Sequence, residues 1–323
     1  MATDNFFSSL GVAARHVLVT GGTGFVGHSL VPVLAAQGLR VTVLTRRDRL
    51  PPALRLGPVR AVQSLAAIAA DEGIDAVINL AGARILGVPW TAARRDDLLR
   101  SRVALTDELV AWMAGRSSKP RCLLSASAIG YYGVQPQGDD TQLTEDAPPQ
   151  PVFMSQLCQQ WEQAAVAALP LGVRVACLRF GVVLGRGGAL PMLLLPVRLG
   201  LGGPLGGGRQ WLSWVHIDDL IRALAHAWKT LEQAVPGPTA AVYNVTAPEA
   251  VRQRDFSRIA AAVLHRPSLL PTPGWPVRRL LGEQADLLLE GQRVVPARLQ
   301  REGFVFRYPQ LRPALEALVD GGS

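Results

Sequence analysis

The residues best suited to chemistry in this sequence are concentrated in one segment, "SASAIGYYG", which sets Ser127, Tyr131 and Tyr132 among small and apolar neighbours. A serine hydroxyl can polarise a carbonyl, and a phenol can give or take a proton. The phenol does so near neutrality only where something favours loss of its proton, because a free tyrosine titrates near about 10. The alternative is structural, with one ring packed under a ligand and the other anchoring a loop through its hydroxyl.

A second constellation is "TGGTGFVG", where Gly21, Gly24 and Gly27 recur every third residue between a β-branched run and a helical stretch. Gly21 permits a tight turn, Gly24 lets the backbone approach a pyrophosphate, and Gly27 lets the helix pack closely. The open N–H groups of the helix then face phosphate oxygens. A strand-to-helix turn with glycines for geometry alone is the alternative. The next strand ends in "TRRD", so Arg46 and Arg47 stand where an acidic residue would bind the ribose 2′-hydroxyl of NAD. Guanidinium there matches a 2′-phosphate, which favours NADP. Two solvated loop arginines are the other reading, and Asp48 facing the ribose would reverse the preference.

The elements that must position these residues follow from periodicity. "HVLVT", "HSLVPVLAAQG" and "RVTVLT" make a β-α-β unit. Further apolar runs, "DAVINLAG", "CLLSASA" and "VRVACLRFGVVLG", alternate with helical stretches. That alternation predicts an α/β fold, a doubly wound parallel sheet of Rossmann type covered on both faces. After Gly185 the texture turns Gly- and Pro-rich, which predicts a smaller C-terminal α/β substrate lobe over the carboxyl edge of the sheet. The expected organisation is a flexible extension over 1–14, an NAD(P)-binding domain over 15–185, and a substrate lobe over most of 186–323 with segments returning to the first domain.

Within the lobe, "HIDD" invites a His–carboxylate reading, but Asp218 or Asp219 as the cap of a helix beginning at Leu220 is the simpler one. Trp211, Trp214 and Arg209 are candidates to line a substrate pocket, or hydrophobic covers for a Gly-rich loop. Trp161 and Glu162 read as helix packing and surface charge.

Composition narrows the classes. The 323 residues carry a net charge of +8 with 49% hydrophobic residues, enough for a sizeable core. The basic residues are dispersed, so no nucleic-acid partner is expected. Cys122, Cys158 and Cys177 are far apart in apolar surroundings, against zinc or disulfides and in favour of a reducing compartment. The stretch "MATDNFFSSLGVAA" lacks a basic start followed by a sustained apolar core, so no secretory signal is expected, and no apolar run reaches the roughly 20 residues that span a bilayer, so a cytoplasmic location without membrane contact is expected.

With "TGGTGFVG", "NLAG", "SASAIGYYG", "LRFGVVLGRGG", "RLGLGGPLGGGRQWLSWVHIDDL" and "LEGQRVVPARL" in this order, the chain resembles the atypical extended short-chain dehydrogenase/reductases. More narrowly, it resembles the epimerase-family proteins of the 39U type, whose bacterial members have also been labelled cell-division-inhibitor-like. The resemblance implies a cofactor, NADP(H), held by Gly21, Gly24, Phe25, Val26, Gly27, Thr45, Arg46, Leu80, Ala81, Arg102 and Val183. On its helical pattern alone, Arg102 could equally be a surface residue paired with Asp97 or Asp107.

In ordinary members of that superfamily a Tyr-x-x-x-Lys pair does the chemistry. Here Tyr131, Tyr132, Tyr243 and Tyr308 are followed four residues on by Gln135, Pro136, Ala247 and Arg312, and Met154 and Cys158 stand where the pair belongs. The resemblance makes Ser127 the substrate-oxygen ligand. It leaves Tyr131 or Tyr132 as proton donor, helped by the nicotinamide's positive charge or by an arginine. The expected function is an NADP(H)-dependent oxidoreductase or epimerase acting on a small molecule. A catalytically weak NADP(H)-binding sensor is the alternative, and a homodimer through the helices near 94–113 and 156–168 is expected by analogy.

Overall fold

The computed structural model describes residues 16–85, 89–235, 237–268 and 271–320; the expected N-terminal extension lies outside them. The chain begins with β1 (His16–Thr20), α1 (Phe25–Ala36), β2 (Arg40–Leu44), β3 (Val59–Val62) and β4 (Ala76–Asn79). Next come α2 (Ala92–Leu99), a π-helical turn (Arg100–Ala104), α3 (Leu105–Ala114), β5 (Cys122–Ala128), α4 (Phe153–Val166) and β6 (Arg174–Phe180).

Beyond these lie β7 (Val182–Leu184), α5 (Leu190–Arg198), β8 (Trp211–Leu212), β9 (Trp214–His216), α6 (Ile217–Gln233) and β10 (Ala240–Val245). The chain closes with β11 (Val251–Arg252), α7 (Gln253–Val263), α8 (Gly274–Leu281), α9 (Asp286–Leu289), α10 (Ala297–Arg301) and α11 (Leu311–Asp320).

Seven strands form one sheet in the order β3-β2-β1-β4-β5-β6-β10, every neighbouring pair parallel. This is the doubly wound α/β architecture expected from the alternating runs. Its physical cause shows in β1, where Val17 and Val19 pack into the layer of α1 and α6 while Leu18 packs into the opposite layer with α3 and α4. A strand buried on both faces needs an unbroken apolar run. The chain leaves β1 to build outward through β2 and β3, then returns to β4 on the other side, so the order reverses between β1 and β4. Ligands in such sheets bind beyond the carboxyl ends at that reversal.

Two small sheets, β7 with β9 and β8 with β11, sit beyond the edge. The segment 291–298 is threaded between them and the loop that follows β5. The Gly291 carbonyl accepts from Gln135, the Arg293 carbonyl accepts from Leu143, and the Val295 amide donates back to Leu143. Ser213 Oγ donates to the Gln292 carbonyl at 2.7 Å and accepts from the Val294 amide at 2.9 Å.

The "HIDD" segment is resolved differently from expectation. The helix begins at Ile217, and His216 is its cap, with Nδ1 accepting from the Asp218 amide at 3.1 Å. Asp219 instead accepts from the Arg307 and Tyr308 amides, each at 2.8 Å. An aspartate so placed fixes the C-terminal segment and leaves the cap to its neighbour.

His216 is buried, lies 4.0 Å from the Tyr308 ring, and burial lowers its pKa to about 4, with Asp218 opposing the shift. A neutral ring is needed because a protonated Nδ1 cannot accept the capping bond. The folded pKa lies below the unfolded value of about 6.5, so this stabilisation is complete above that pH and declines as pH falls toward 4. Urea unfolding across this range should show the wild type losing on the order of 2–3 kcal/mol relative to His216→Asn. Parallel pH profiles for the two proteins would contradict it.

Candidate functional site

The site is built where β1, β2, β4 and β5 end. Gly21 leaves β1 with φ +66°, a conformation that glycine adopts without strain, and a Cβ there would lie 2.6 Å from the Leu80 carbonyl oxygen. At Gly27 a Cβ would come within 2.4 Å of the Gly21 carbonyl oxygen. Only a residue without a side chain lets α1 approach this closely. Gly24 occupies the cap position without a capping side chain, and the first turn carries no acidic residue. The amides of Phe25, Val26 and Gly27 therefore face the cleft with no intrahelical acceptor, an arrangement that suits a pyrophosphate. The Phe25 ring is turned under Gly185, Gly187 and Gly188, so its contribution to the cleft comes from its backbone.

At the end of β2, Thr45 is buried and its hydroxyl lies 3.5 Å from that of Thr23. Arg46 and Arg47 are exposed, and among the described residues neither has an ion-pair partner. The Asp48 carboxylate accepts from Gln63 at 2.7 Å, toward the β3 side. Leu80, Ala81 and Val183 are all half-buried, Leu80 and Ala81 beside Gly21 and Val183 on β7 next to β9.

Arg102 does not lie on the surface in a salt bridge. The π-helical turn adds a residue to the helical repeat and swings it inward, and Asp97 pairs with Arg100 instead. Arg102 is 6% exposed and donates to the Ala83 carbonyl at 2.9 Å. Its guanidinium carbon is 5.3 Å from the Trp161 ring. Burial lowers its pKa to about 10, with the Cys158 thiol opposing and the nearby Arg94 charge reinforcing the shift.

The hydroxyl segment after β5 is largely engaged. Ser127 Oγ donates to Glu162 at 2.6 Å. Glu162 is not the surface charge expected from the sequence, because it accepts from Arg179 Nε and Nη2, each at 2.8 Å. Burial alone would weaken the Arg179 cation, but the Glu162 carboxylate holds it well above its ordinary pKa. Arg179 Nη1 donates to Tyr132 Oη at 2.9 Å, and Tyr132 donates to Asn244 Oδ1 at 2.7 Å.

Burial pushes the Tyr132 phenol up to about 12, opposed by Arg179 and Asn244. That is the reverse of what a proton donor near neutrality needs, so Tyr132 is an anchor. Tyr131 differs: it is half-exposed, its ring lies 3.4 Å above the Arg179 guanidinium, and its hydroxyl has no hydrogen-bond partner among the described residues.

On α4, Met154 and Cys158 face Gly130 of the same segment, with Met154 Cε 3.3 Å and Cys158 Sγ 3.8 Å from where its Cβ would be. Burial pushes the Cys158 thiol up to about 12. Neither residue carries a mobile proton. Trp214 is fully buried in the core of the lobe, and Trp211 lies between Arg252 at 3.8 Å and Arg293 at 4.7 Å. Two protein cations thus lie against the Trp211 ring. No group of residues with metal-binding geometry occurs among the described residues.

Sequence reasoning missed Arg179, Glu162, Asn244 and Glu145. The signal for Arg179 was present, because a lone arginine within a strand buried on both faces must find an anion. Glu145 accepts from the amides of Asn244 and Arg298, each at 3.1 Å, and nothing in a linear sequence indicates such a pairing.

The model of the NAD dependent epimerase/dehydratase family matches residues 17–246, and that of a domain of unknown function (DUF1731) matches residues 272–318. An epimerase family protein of Staphylococcus saprophyticus is 40% identical over 94% of this chain and 99% of its own length. The chloroplastic SDR39U1 homolog of Arabidopsis thaliana is 36% identical over 94% of this chain and 86% of its own. The crystal structure of the human epimerase family protein SDR39U1 with NADPH superimposes with a TM-score of 0.82 at 34% identity, covering 95% of this chain and 99% of that one. No helix among the described residues is long and apolar enough to cross a membrane.

The Arg179–Glu162 pair should be the main structural requirement of this site. Glu162→Gln is expected to destabilise by about 3–5 kcal/mol by leaving a buried guanidinium without its anion. Tyr132→Phe should cost about 1–3 kcal/mol by stranding Asn244 and Arg179. Urea unfolding checks both, and a glutamine variant as stable as wild type would mean that the pair is dispensable.

Proposed function

This chain belongs to the NAD dependent epimerase/dehydratase family, in its SDR39U1-like branch, and we propose that it is an NADP(H)-dependent oxidoreductase or epimerase acting on a small molecule. The observation that carries the reading is the open amino end of α1 between Gly21 and Gly27, next to two exposed guanidinium groups beyond β2 that have no ion-pair partner among the described residues. The relative crystallised with NADPH supports the same cofactor.

In this reading the amides of Phe25, Val26 and Gly27 hold the pyrophosphate, and Gly24, whose own amide donates to the Gly21 carbonyl at 2.9 Å, lets the backbone come close to it. Arg46 and Arg47, with Thr45 beneath them, take the 2′-phosphate. Leu80, Ala81, Arg102 and Val183 line the nicotinamide half. A bound nicotinamide supplies a hydride donor or acceptor. Tyr131 is the group that carries the proton, since its hydroxyl is the one of the three that protein groups do not already hold. Ser127 and Tyr132 support it from below: Ser127 ties β5 to Glu162, and Tyr132 fixes the plate on which the Tyr131 ring rests. Residues 15–185 form the cofactor domain, and most of 186–323 forms the substrate lobe.

A second reading is favoured by one observation. Met154 and Cys158 fill the place of the usual tyrosine and lysine, and both are buried without a mobile proton. A protein that binds NADP(H) and reports its occupancy to a partner would need no proton carrier there.

Titration by intrinsic fluorescence distinguishes the parts of this proposal. Alanine at Arg46 and Arg47 together should weaken NADPH binding by about 10- to 100-fold, the worth of charge-assisted hydrogen bonds, and leave NADH binding within about threefold. Equal losses for both dinucleotides would remove the 2′-phosphate assignment. Absence of NADPH binding to the wild type would remove the function.

A further inference from the structure

Arg102 has a neighbour that the cofactor reading does not use. Arg94, in the first turns of α2, donates to the Arg84 carbonyl, while Arg102 donates to the Ala83 carbonyl at 2.9 Å. The two guanidinium groups thus grip adjacent carbonyls of the loop that leaves β4, close enough for the Arg94 charge to act against that of Arg102. Arg94 Nε is buried without a hydrogen-bond partner. Among the described residues no carboxylate pairs with either group. Neighbouring cations do find theirs, Arg95 with Glu283 and Arg100 with Asp97.

Two like charges, one of them buried, are unfavourable together unless an anion joins them. On the cofactor reading, the phosphates of the dinucleotide have other donors, the pyrophosphate at the amino end of α1 and the 2′-phosphate beyond β2. The charge at Arg94 is therefore left for a different anion.

Beside the pair lies an apolar cluster, with the Arg95 guanidinium 4.8 Å from its Phe153 ring. Ala83, Ile85, Trp90 and Phe153 pack with Leu98, Met154 and Leu157 in one cluster. Met154 Cε also lies 3.3 Å from where a Cβ of Gly130, the residue before Tyr131, would be. An apolar wall thus runs from the guanidinium pair to the segment that carries the free phenol.

We propose that Arg94, beside Arg102, is a specificity residue for the substrate, which is a small molecule with an apolar body and one anionic head, carboxylate or phosphate. The head sits at Arg94, the body lies along Trp90 and Phe153, and the reacting oxygen reaches Tyr131. The proposal rests on the cofactor reading above and goes beyond it in naming the substrate class.

Binding to the NADPH-saturated protein, by calorimetry or saturation-transfer NMR, tests this with phenylpyruvate and phenyl phosphate against the neutral ketone phenylacetone. Both anions should bind at least about tenfold more tightly than the ketone. Arg94→Gln should abolish that preference while NADPH affinity stays within about twofold. Arg94→Lys keeps the charge and should keep part of the preference, which serves should glutamine disturb the fold.

Equal affinity for the three compounds, no binding of any, an unchanged preference in the glutamine variant, or release of NADPH by the anions would each overturn it. The last result would assign both guanidinium groups to the dinucleotide. If NADPH itself failed to bind, the cofactor reading would fall at the first step, and the same three compounds on the free protein would still decide the anion preference.

Discussion

A guanidinium taken out of water must meet an anion or lose much of the stability of the fold around it. The structure contains two such groups at the carboxyl edge of the sheet and treats them in opposite ways. Arg179 is 3% exposed and has four of its five N–H donors engaged, by both oxygens of Glu162, by Tyr132 and by the Glu145 carbonyl. Arg102 is 6% exposed and meets neutral acceptors and an aromatic ring. The first is a finished piece of architecture. The second has no carboxylate partner among the described residues, which is the physical argument behind the proposal that it serves a ligand.

This contrast also decides which hydroxyls are available for chemistry. Because Glu162 must serve Arg179, it lies within reach of Ser127 and accepts a charge-assisted hydrogen bond from its hydroxyl. A serine whose hydrogen is committed in this way can accept a bond but cannot donate one to a substrate carbonyl. Tyr132 is likewise held between Arg179 and Asn244. The phenol that remains, Tyr131, stacks on the fixed guanidinium and is positioned by its ring face, while its hydroxyl has no partner among the described residues. Rigidity below and freedom above are the conditions that support the proposed role of Tyr131 as proton carrier.

The sheet was legible in the sequence because burial on both faces demands continuous apolar runs, and "HVLVT", "DAVIN" and "CLLSASA" are such runs. The glycine loop was legible too, since each of its glycines answers to a clash that a side chain would cause. The role of "HIDD" was not, because either aspartate could cap a helix on local grounds. Asp219 is taken instead by two amides 88 and 89 residues further along the chain, a long-range demand that no local pattern carries. Arg102 was ambiguous for a related reason, as a single π-helical turn changes which face a residue presents while the amphipathic pattern of the helix stays almost the same. Glu162 was misread as a surface charge, because its partner Arg179 lies on a different element.

The segment 291–298 explains why the loop after Tyr131 keeps its shape without a helix or strand of its own. Gln135 pairs with Gly291, Leu143 pairs with residues on either side of Val294, and Glu145 receives the Arg298 amide that opens α10. The same Glu145 carboxylate receives the Asn244 amide at the end of β10, and Asn244 in turn holds Tyr132. One line of hydrogen bonds therefore joins the C-terminal segment, the edge strand of the sheet and the anchor tyrosine. Each bond alone is worth only about 0.5–1.5 kcal/mol, but they share donors and acceptors, so none can be lost without stranding a buried partner. The position of the Tyr131 phenol over the cleft is thus set from the last quarter of the chain, by residues that need touch neither cofactor nor substrate.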